Sequence, residues 1–292
     1  IARGGKLMAE GTASAPIVMT SESDDITVGQ TAGSSLNENV RGLWGGLLVL
    51  GNAPCSFSGD VTELQIEGIP ASETNGLYGG SDPADNSGVI QYVSIRHGGA
   101  EIGEGNEING LTLGGVGTGT TIDHIEVVGN VDDGVEFFGG TVNASELLVW
   151  GQGDDGLDID QAYAGTISNS MVILNSASDH ALEIDGPEGS APGSFTLNNI
   201  TLVGTNDECS ATGVDGEISD YRKGATGANN NVYVMNFTDG KDIELDKQMA
   251  VQIALHQILL MVLYLMINLL LDLLLKQMVL QFVQWYLQVL IL

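Results

Sequence analysis

The chain has 292 residues, 43% of them hydrophobic and 41 of them glycine, which argues against disorder and suffices for one large domain or a solenoid. Nine basic against 38 acidic residues give a net charge of −29, which repels phosphate backbones and anionic membrane surfaces. We therefore expect no nucleic-acid partner. The charge suits a protein held soluble outside the cell, or one that collects divalent cations through oxygen ligands.

The two ends of the chain and its cysteines add little about function. Cys55 and Cys209 are too few for a disulfide framework and lack the spacing of a zinc site. The chain begins at Ile1, in what reads as the middle of a structural repeat, without a charged-then-apolar leader. We expect a fragment or a processed form, with any export signal upstream.

Short β-branched and aliphatic runs recur along the chain, most of them followed closely by glycine or asparagine. They are Ile90–Arg96, Ile122–Val128, Ala144–Trp150, Ile167–Ile173 and Leu197–Val203. Such runs indicate strands that end in turns.

A second short motif recurs four times, each time after one of the first four runs. Its copies are Asn109–Leu113, Asp133–Phe137, Asp155–Ile159 and His180–Ile184. Its small residues Gly110, Gly134, Gly156 and Ala181 are 24, 22 and 25 residues apart. An interval of this size with at least two strands is typical of one coil of a parallel β-helix. The sequence therefore predicts an all-β solenoid over residues 1–246.

Alternation across each strand assigns side chains to two faces. The residues predicted to point inward are Val135, Phe137, Leu157, Ile159, Leu182 and Ile184. The outward residues of the second motif form the column Thr112, Glu136, Asp158, Glu183. The outward residues of the first form the column Arg96, Val128, Trp150, Ile173, Val203. One column is acidic and the other is largely apolar.

The acidic column predicts a metal site formed by Glu136, Asp158 and Glu183. Carboxylates stacked at coil spacing repel one another, so they take up protons or share a cation, and oxygen-only ligands favour Ca²⁺. The alternative is a solvated acidic face, beside turn aspartates Asp133 and Asp155 that bond their own backbone. Both interpretations stay open at this point.

Four segments resemble secreted, right-handed parallel β-helix proteins of the pectin-lyase-like class: Gly42–Pro54, Ile66–Pro70, Tyr92–Gly99 and Gly105–Gly115. The nearest resemblance is to a group from environmental bacteria, often Bacteroidota, which has no agreed activity. The resemblance covers about residues 1–245. It implies a right-handed β-helix and a secreted or cell-surface location. In this class, polysaccharide lyases use calcium on acidic side chains to bridge an acidic sugar.

Several residues are candidates for chemistry on a polysaccharide. Asp155 and Asp158 would supply the acid and the base of a hydrolase, and Arg96 the base of a lyase. The steps Asp154-Asp155 and Asp179-His180 resemble the acidic turns of β-helix glycoside hydrolases. Trp150 would stack on a sugar ring, with His97 and His180 as further ligand contacts. The plainer alternatives are a surface ion pair for Arg96 and structural cover over Trp150.

The function that these features favour is an exported, surface-associated scaffold for adhesion or carbohydrate binding, stabilised by calcium. Its partner would be a polysaccharide or another cell-surface component. The rival is a polysaccharide lyase or glycoside hydrolase working on the acidic face.

The last part of the chain has a different composition. Residues 248–292 contain 15 leucines and no glycine, serine, threonine, proline or glutamate. For this Leu-rich tail, residues 247–292, three interpretations stay open: a membrane-spanning or hairpin segment, a packed helical cap, and a reading-frame error. We expect it to be helical if ordered, and expect a membrane partner only if the tail is genuine.

Overall fold

The computed structural model describes residues 1–101, 108–205, 216–238, 241 and 243–246. Within these residues the chain forms seventeen strands: β1 (Leu7–Glu10), β2 (Ile17–Met19), β3 (Leu47–Leu50), β4 (Leu64–Gln65), β5 (Leu77–Tyr78), β6 (Gly88–Arg96), β7 (Leu111–Gly114), β8 (Thr121–Val128), β9 (Val135–Phe138), β10 (Ala144–Trp150), β11 (Leu157–Asp160), β12 (Thr166–Ile173), β13 (His180–Asp185), β14 (Phe195–Val203), β15 (Glu217–Arg222), β16 (Gly227–Met235) and β17 (Ile243–Leu245). Two single 3-10 turns cover Ser58–Asp60 and Thr74–Gly76.

The strands form a right-handed parallel β-helix, as predicted. Sheet 1 has the order β1-β6-β8-β10-β12-β14-β16, with β2 also pairing with β6. Sheet 2 has the order β17-β15-β13-β11-β9-β7-β3. Every pairing within the two sheets is parallel, so each coil contributes one strand to each sheet and lies on the coil before it.

The apolar core lies between the two sheets and is built from ladders of equivalent residues. Val135, Leu157 and Leu182 pair in register in sheet 2, and each is at most 2% exposed. Phe137 and Ile159 form the neighbouring ladder and are equally buried. Burying one such side chain stabilises the fold by roughly 1.5–3 kcal/mol, so the stacking of coils is what holds the solenoid together.

Each long strand of sheet 1 bends at one residue with positive φ. These corner residues, with φ between 50° and 57°, are Tyr92, His124, Glu146, Asn169, Asn199 and Asn231. The Asn199 side chain donates to the Asn169 Oδ1 at 2.9 Å, and the Asn231 side chain donates to the Asn199 Oδ1 at 3.1 Å. Asparagine tolerates this conformation better than most residues, and here its amide also ties one coil to the next.

A long excursion between β3 and β6 folds along one side of the helix. It carries the antiparallel pair β4–β5. The Ser56 N–H donates to the Gln161 carbonyl at 3.0 Å, and the Tyr78 hydroxyl donates to the Gln161 side chain at 2.7 Å. These bonds fix the excursion against the turn that follows β11, and the excursion brings Glu67 beside residues of sheet 2.

The Leu-rich tail and Cys209 lie outside the described residues. Cys55 is a free thiol whose pKa is raised to about 12, mainly because it is buried. Among the residues that the structure describes, no helix has the length and apolar character needed to cross a bilayer.

Candidate functional site

The predicted acidic column exists and is longer than the sequence indicated. Register pairs in sheet 2 connect Thr112, Glu136, Asp158, Glu183, Asp220 and Glu244 in that order. Consecutive members belong to consecutive coils, about 4.8 Å apart. The apolar column Arg96, Val128, Trp150, Ile173, Val203 also pairs in register, but it belongs to sheet 1. The two columns are thus on different sheets.

An open cleft of about 450 Å³ runs along the acidic column. We call it the acidic cleft. Nine of its ten lining residues are acids and the tenth is an arginine: Glu67, Asp132, Asp133, Glu136, Asp154, Asp155, Asp158, Asp179, Glu183 and Arg222. Carboxylates concentrated in one concave site strengthen each other's field, so the cleft attracts cations.

The floor of the cleft is formed by Asp133, Glu136 and Asp158, whose carboxylate oxygens lie within 4.8 Å of one another. They are only 6%, 7% and 9% exposed. Burial, followed by the charges of neighbouring acids, raises the pKa of all three carboxyls well above their ordinary values. The floor is therefore buried, which contradicts the alternative of a solvated acidic face.

The three floor residues differ in how their oxygens are satisfied. Asn109 Nδ2 donates to Glu136, and the Asp155 backbone N–H donates to Asp133 Oδ1 at 2.9 Å. Asp158 Oδ1 is buried and has no hydrogen-bond partner among the described residues. A buried carboxylate oxygen without a partner costs several kcal/mol in desolvation, so this atom requires a proton or a cation.

One wall of the cleft is fixed by Asp155 and His180. Asp155 Oδ1 accepts hydrogen bonds from the backbone N–H of His180 at 2.7 Å and from its Nδ1 at 2.9 Å. Although burial lowers the pKa of His180, the bond to Asp155 and the surrounding acids raise it to about 9. His180 is therefore a cation at neutral pH. The turn aspartates Asp133 and Asp155 therefore accept hydrogen bonds from the backbone of the next coil. The alternative interpretation assumed that each bonds the backbone of its own turn.

The last described coils supply positive charge at the other end of the column. The Arg222 guanidinium donates to Glu183 and to Asp185 Oδ1, the latter at 2.7 Å. Lys223 Nζ lies 2.6 Å from Asp185 Oδ2. Glu183 is thus neutralised by an arginine, whereas Glu136 and Asp158 are not paired with a basic residue in the described part of the chain.

The rim of the cleft carries Asp132, Asp154 and Asp179, each half-buried. They precede equivalent turn positions in three successive coils, and the Asp179 N–H donates to the Asp154 carbonyl at 3.0 Å. Burial, and then the charges of Asp155 and Asp132, raise the pKa of Asp154 to about 7. Asp154 therefore exchanges a proton near neutral pH while it faces the cleft.

Comparison with known proteins places the fold in a family. A family model described as a pectate-lyase-like β-helix domain matches residues 1–273. The chain belongs to the pectate-lyase-like β-helix family. No curated protein matches this chain.

Among solved structures, this pectate-lyase-like β-helix is similar to one whose description reads "Crystal structure of Agl-KA catalytic domain". The two share 13% sequence identity with a TM-score of 0.29, over 59% of this chain. The chain spans 43% of that protein's length.

The structure brings most of the predicted site residues of this pectate-lyase-like β-helix together in the acidic cleft. Glu136, Asp155, Asp158 and Glu183 line it, and His180 is bonded to Asp155 at its wall. The metal set differs in one member: Asp133, and not Glu183, lies with Glu136 and Asp158. Glu183 groups instead with Asp155 and His180.

Three predicted residues lie away from the cleft, at or just beyond the ends of sheet 1 strands. The Arg96 guanidinium donates to Glu126 at 2.9 Å and to Ser94 at 2.6 Å. The His97 ring nitrogen Nδ1 lies 2.7 Å from the Val40 carbonyl oxygen, and the residue is 4% exposed. Trp150 is 39% exposed. Arg96 and His97 therefore have structural partners, while Trp150 is partly exposed to solvent.

Proposed function

We propose that this β-helix is an exported polysaccharide-binding scaffold whose acidic cleft holds Ca²⁺ at Asp133, Glu136 and Asp158. The observation that carries the proposal is the buried, unpartnered Oδ1 of Asp158. It lies within a group of three carboxylates and lines an open cleft. A cation that satisfies this atom also offsets the repulsion among the three acids.

Calcium fits the donor set of the floor better than a transition metal does. The three side chains offer only carboxylate oxygens, which hard cations such as Ca²⁺ prefer. The nearby imidazole of His180 is engaged by Asp155 through Nδ1. Calcium accepts irregular coordination and completes its shell with water or ligand oxygens, which the open side of the cleft would admit.

A scaffold that presents an extended polysaccharide-binding surface is supported by the regular stacking of coils. Successive coils repeat at about 4.8 Å, so the acidic column presents equivalent groups at a constant interval. Polymers with a repeating unit match such a surface better than compact ligands do. The exposed Trp150 offers a second, apolar contact for a sugar ring on sheet 1.

Affinity electrophoresis through gels that contain uronate, neutral or amine-bearing polysaccharides tests this proposal. Each gel is run with calcium and again with a chelator. We expect at least one polysaccharide to retard the native protein in calcium, and Asp158→Asn to reduce the retardation. Glu10→Gln, which removes an exposed acid from β1 outside the cleft, serves as the matched control. Equal mobility in every gel would reject polysaccharide binding.

A glycoside hydrolase is the second candidate, favoured by Asp154. A carboxyl with a pKa of about 7 that faces an open cleft has the property required of a general acid. Asp155 or Asp158 would then act as the second carboxylate, the base or nucleophile of the reaction. New reducing ends released from any of the polysaccharides, and lost in Asp154→Asn, would establish hydrolysis. Absorbance from new double bonds would instead establish a lyase.

A further inference from the structure

We infer that the outer face of sheet 1 binds a neutral, linear polysaccharide, and that it does so without calcium. This inference rests on the proposed function and names a ligand class for a second surface of the scaffold. The surface takes two outward residues from each of four consecutive strands, β10, β12, β14 and β16, which pair in register. We call it the apolar stripe, and its members are Leu148, Trp150, Met171, Ile173, Thr201, Val203, Tyr233 and Met235.

The apolar stripe is exposed and uncharged on a chain whose net charge is −29. Trp150, Met171, Tyr233 and Met235 are each at least 37% exposed. None of the eight members is ionised at neutral pH. Large apolar side chains that group on a charged protein surface mark an interaction site. Because the stripe offers no counter-charge and the acidic chain repels polyanions, a neutral ligand fits it best.

A row of exposed amides borders the apolar stripe. Asn169, Asn199 and Asn231 lie at the bends of β12, β14 and β16, two residues before the stripe begins on each strand. Asn199 donates one hydrogen bond to Asn169 and accepts one from Asn231. An amide has two N–H donors and an oxygen with two lone pairs, so each of these residues keeps bonding capacity at the surface. Sugar hydroxyls donate and accept, so they match uncharged amides beside an apolar surface.

The dimensions of the apolar stripe fit one polymer strand better than a folded partner. Four strands spaced about 4.8 Å apart make it about 14 Å long, and two alternate residues of a strand make it about 7 Å wide. A surface of this size falls well short of the roughly 800 Å² that each partner buries in a stable protein complex. A linear polysaccharide is one ring wide. Trp150 and Tyr233, on the first and last strands of the stripe, are far enough apart to contact different rings of it.

Isothermal titration calorimetry of the whole chain tests the inference. The probes are cellohexaose, xylohexaose, mannohexaose and, as the anionic comparison, hexagalacturonate, each titrated in calcium and again in chelator. We expect at least one neutral hexasaccharide to bind with the same affinity in both buffers. Trp150→Ala and Tyr233→Ala should each weaken that binding about fivefold, the loss expected for one aromatic contact. Met8→Ala, which removes an exposed apolar side chain from β1 outside the stripe, should leave it unchanged, and so should Asp158→Asn.

Four results would overturn the inference. The first is that no neutral hexasaccharide binds, and the second is binding that both aromatic variants leave unchanged. The third is hexagalacturonate that binds in chelator as tightly as the best neutral probe. The fourth is a dimer of the native chain in analytical ultracentrifugation that Tyr233→Ala dissociates, which would show that a second copy covers the stripe.

The same titrations separate this failure from that of the proposed function. Binding that needs calcium and is lost in Asp158→Asn, but not in Trp150→Ala or Tyr233→Ala, supports the acidic cleft and rejects the apolar stripe. Binding that persists in chelator and is weakened only in the two aromatic variants supports the apolar stripe and rejects the role of calcium in the cleft.

Discussion

Asp155 Oδ1 accepts two hydrogen bonds from His180, one from its backbone N–H at 2.7 Å and one from its Nδ1 at 2.9 Å. The two residues occupy equivalent positions in consecutive coils, since the Gly156 N–H donates to the His180 carbonyl. The pair therefore ties the coils together at the wall of the acidic cleft and places one positive charge among many carboxylates.

Replacing His180 by alanine should destabilise the fold at pH 7. The change leaves Asp155, which is 4% exposed, with only backbone partners and removes a cation from the cleft. We expect a loss of about 1–3 kcal/mol in the free energy of unfolding, measured by urea denaturation. Lys6→Ala is the control, because this lysine is an exposed cation outside the cleft and its loss should cost no more than about 1 kcal/mol. Equal losses in both variants would argue against the role of the pair.

The stability of the metal-free protein should fall as the pH rises from 5 to 8. The folded state raises the pKa of the floor carboxyls, and that of Asp154 to about 7, so it binds more protons than the unfolded chain in this range. His180 acts in the same direction above about pH 6.5, because its pKa is raised from 6.5 to about 9 and the folded state keeps a proton that the unfolded chain loses. Thermal melts in chelator at several pH values measure this. A midpoint that rises with pH would contradict the account.

Asn199→Ala should destabilise the helix more than Asn199→Gly does. Both variants lose the side-chain bonds to Asn169 and Asn231, but only glycine adopts a φ of 57° without strain. We expect a difference of about 1 kcal/mol between the two variants in denaturant titrations. If alanine were tolerated as well as glycine, the corner conformation would not be under strain.

Trp150→Ala should leave calcium binding unchanged, because Trp150 lies on sheet 1 and the calcium ligands lie on or beside sheet 2. If its exposed ring contacts sugar, the variant should lose about 1 kcal/mol of affinity for a retained polysaccharide in gels that contain it. Ile173→Ala, next in register on the same column, provides the matched control. Unchanged retention would assign Trp150 to structural cover.

The repeat spacing was enough to predict the coils, the inward ladders and the acidic column. The repeat interval predicts the acidic column only as far as Glu183. Asp220, the next member in the structure, follows 37 residues later, outside the interval of 22 to 25. Asp133 was not predicted as a metal ligand because it precedes its strand. Only the folded turn brings its carboxylate beside those of Glu136 and Asp158.

The corners of sheet 1 could not be predicted from residue type. Tyr92, His124 and Glu146 adopt the same positive φ as the three asparagines that follow them. Stacking on the coil below imposes that conformation, so the local preference of each residue is overridden by its position in the ladder.

Calcium titration of the native chain and of Asp158→Asn, followed by thermal melting, tests the central claim most directly. We expect calcium to raise the midpoint of the native protein and to leave that of Asp158→Asn nearly unchanged. In chelator, Asp158→Asn should have a higher midpoint than the native protein. The reason is that the amide replaces a buried carboxylate whose Oδ1 has no hydrogen-bond partner among the described residues. A native midpoint that does not respond to calcium, or an equal response in the variant, would contradict a calcium site at Asp133, Glu136 and Asp158.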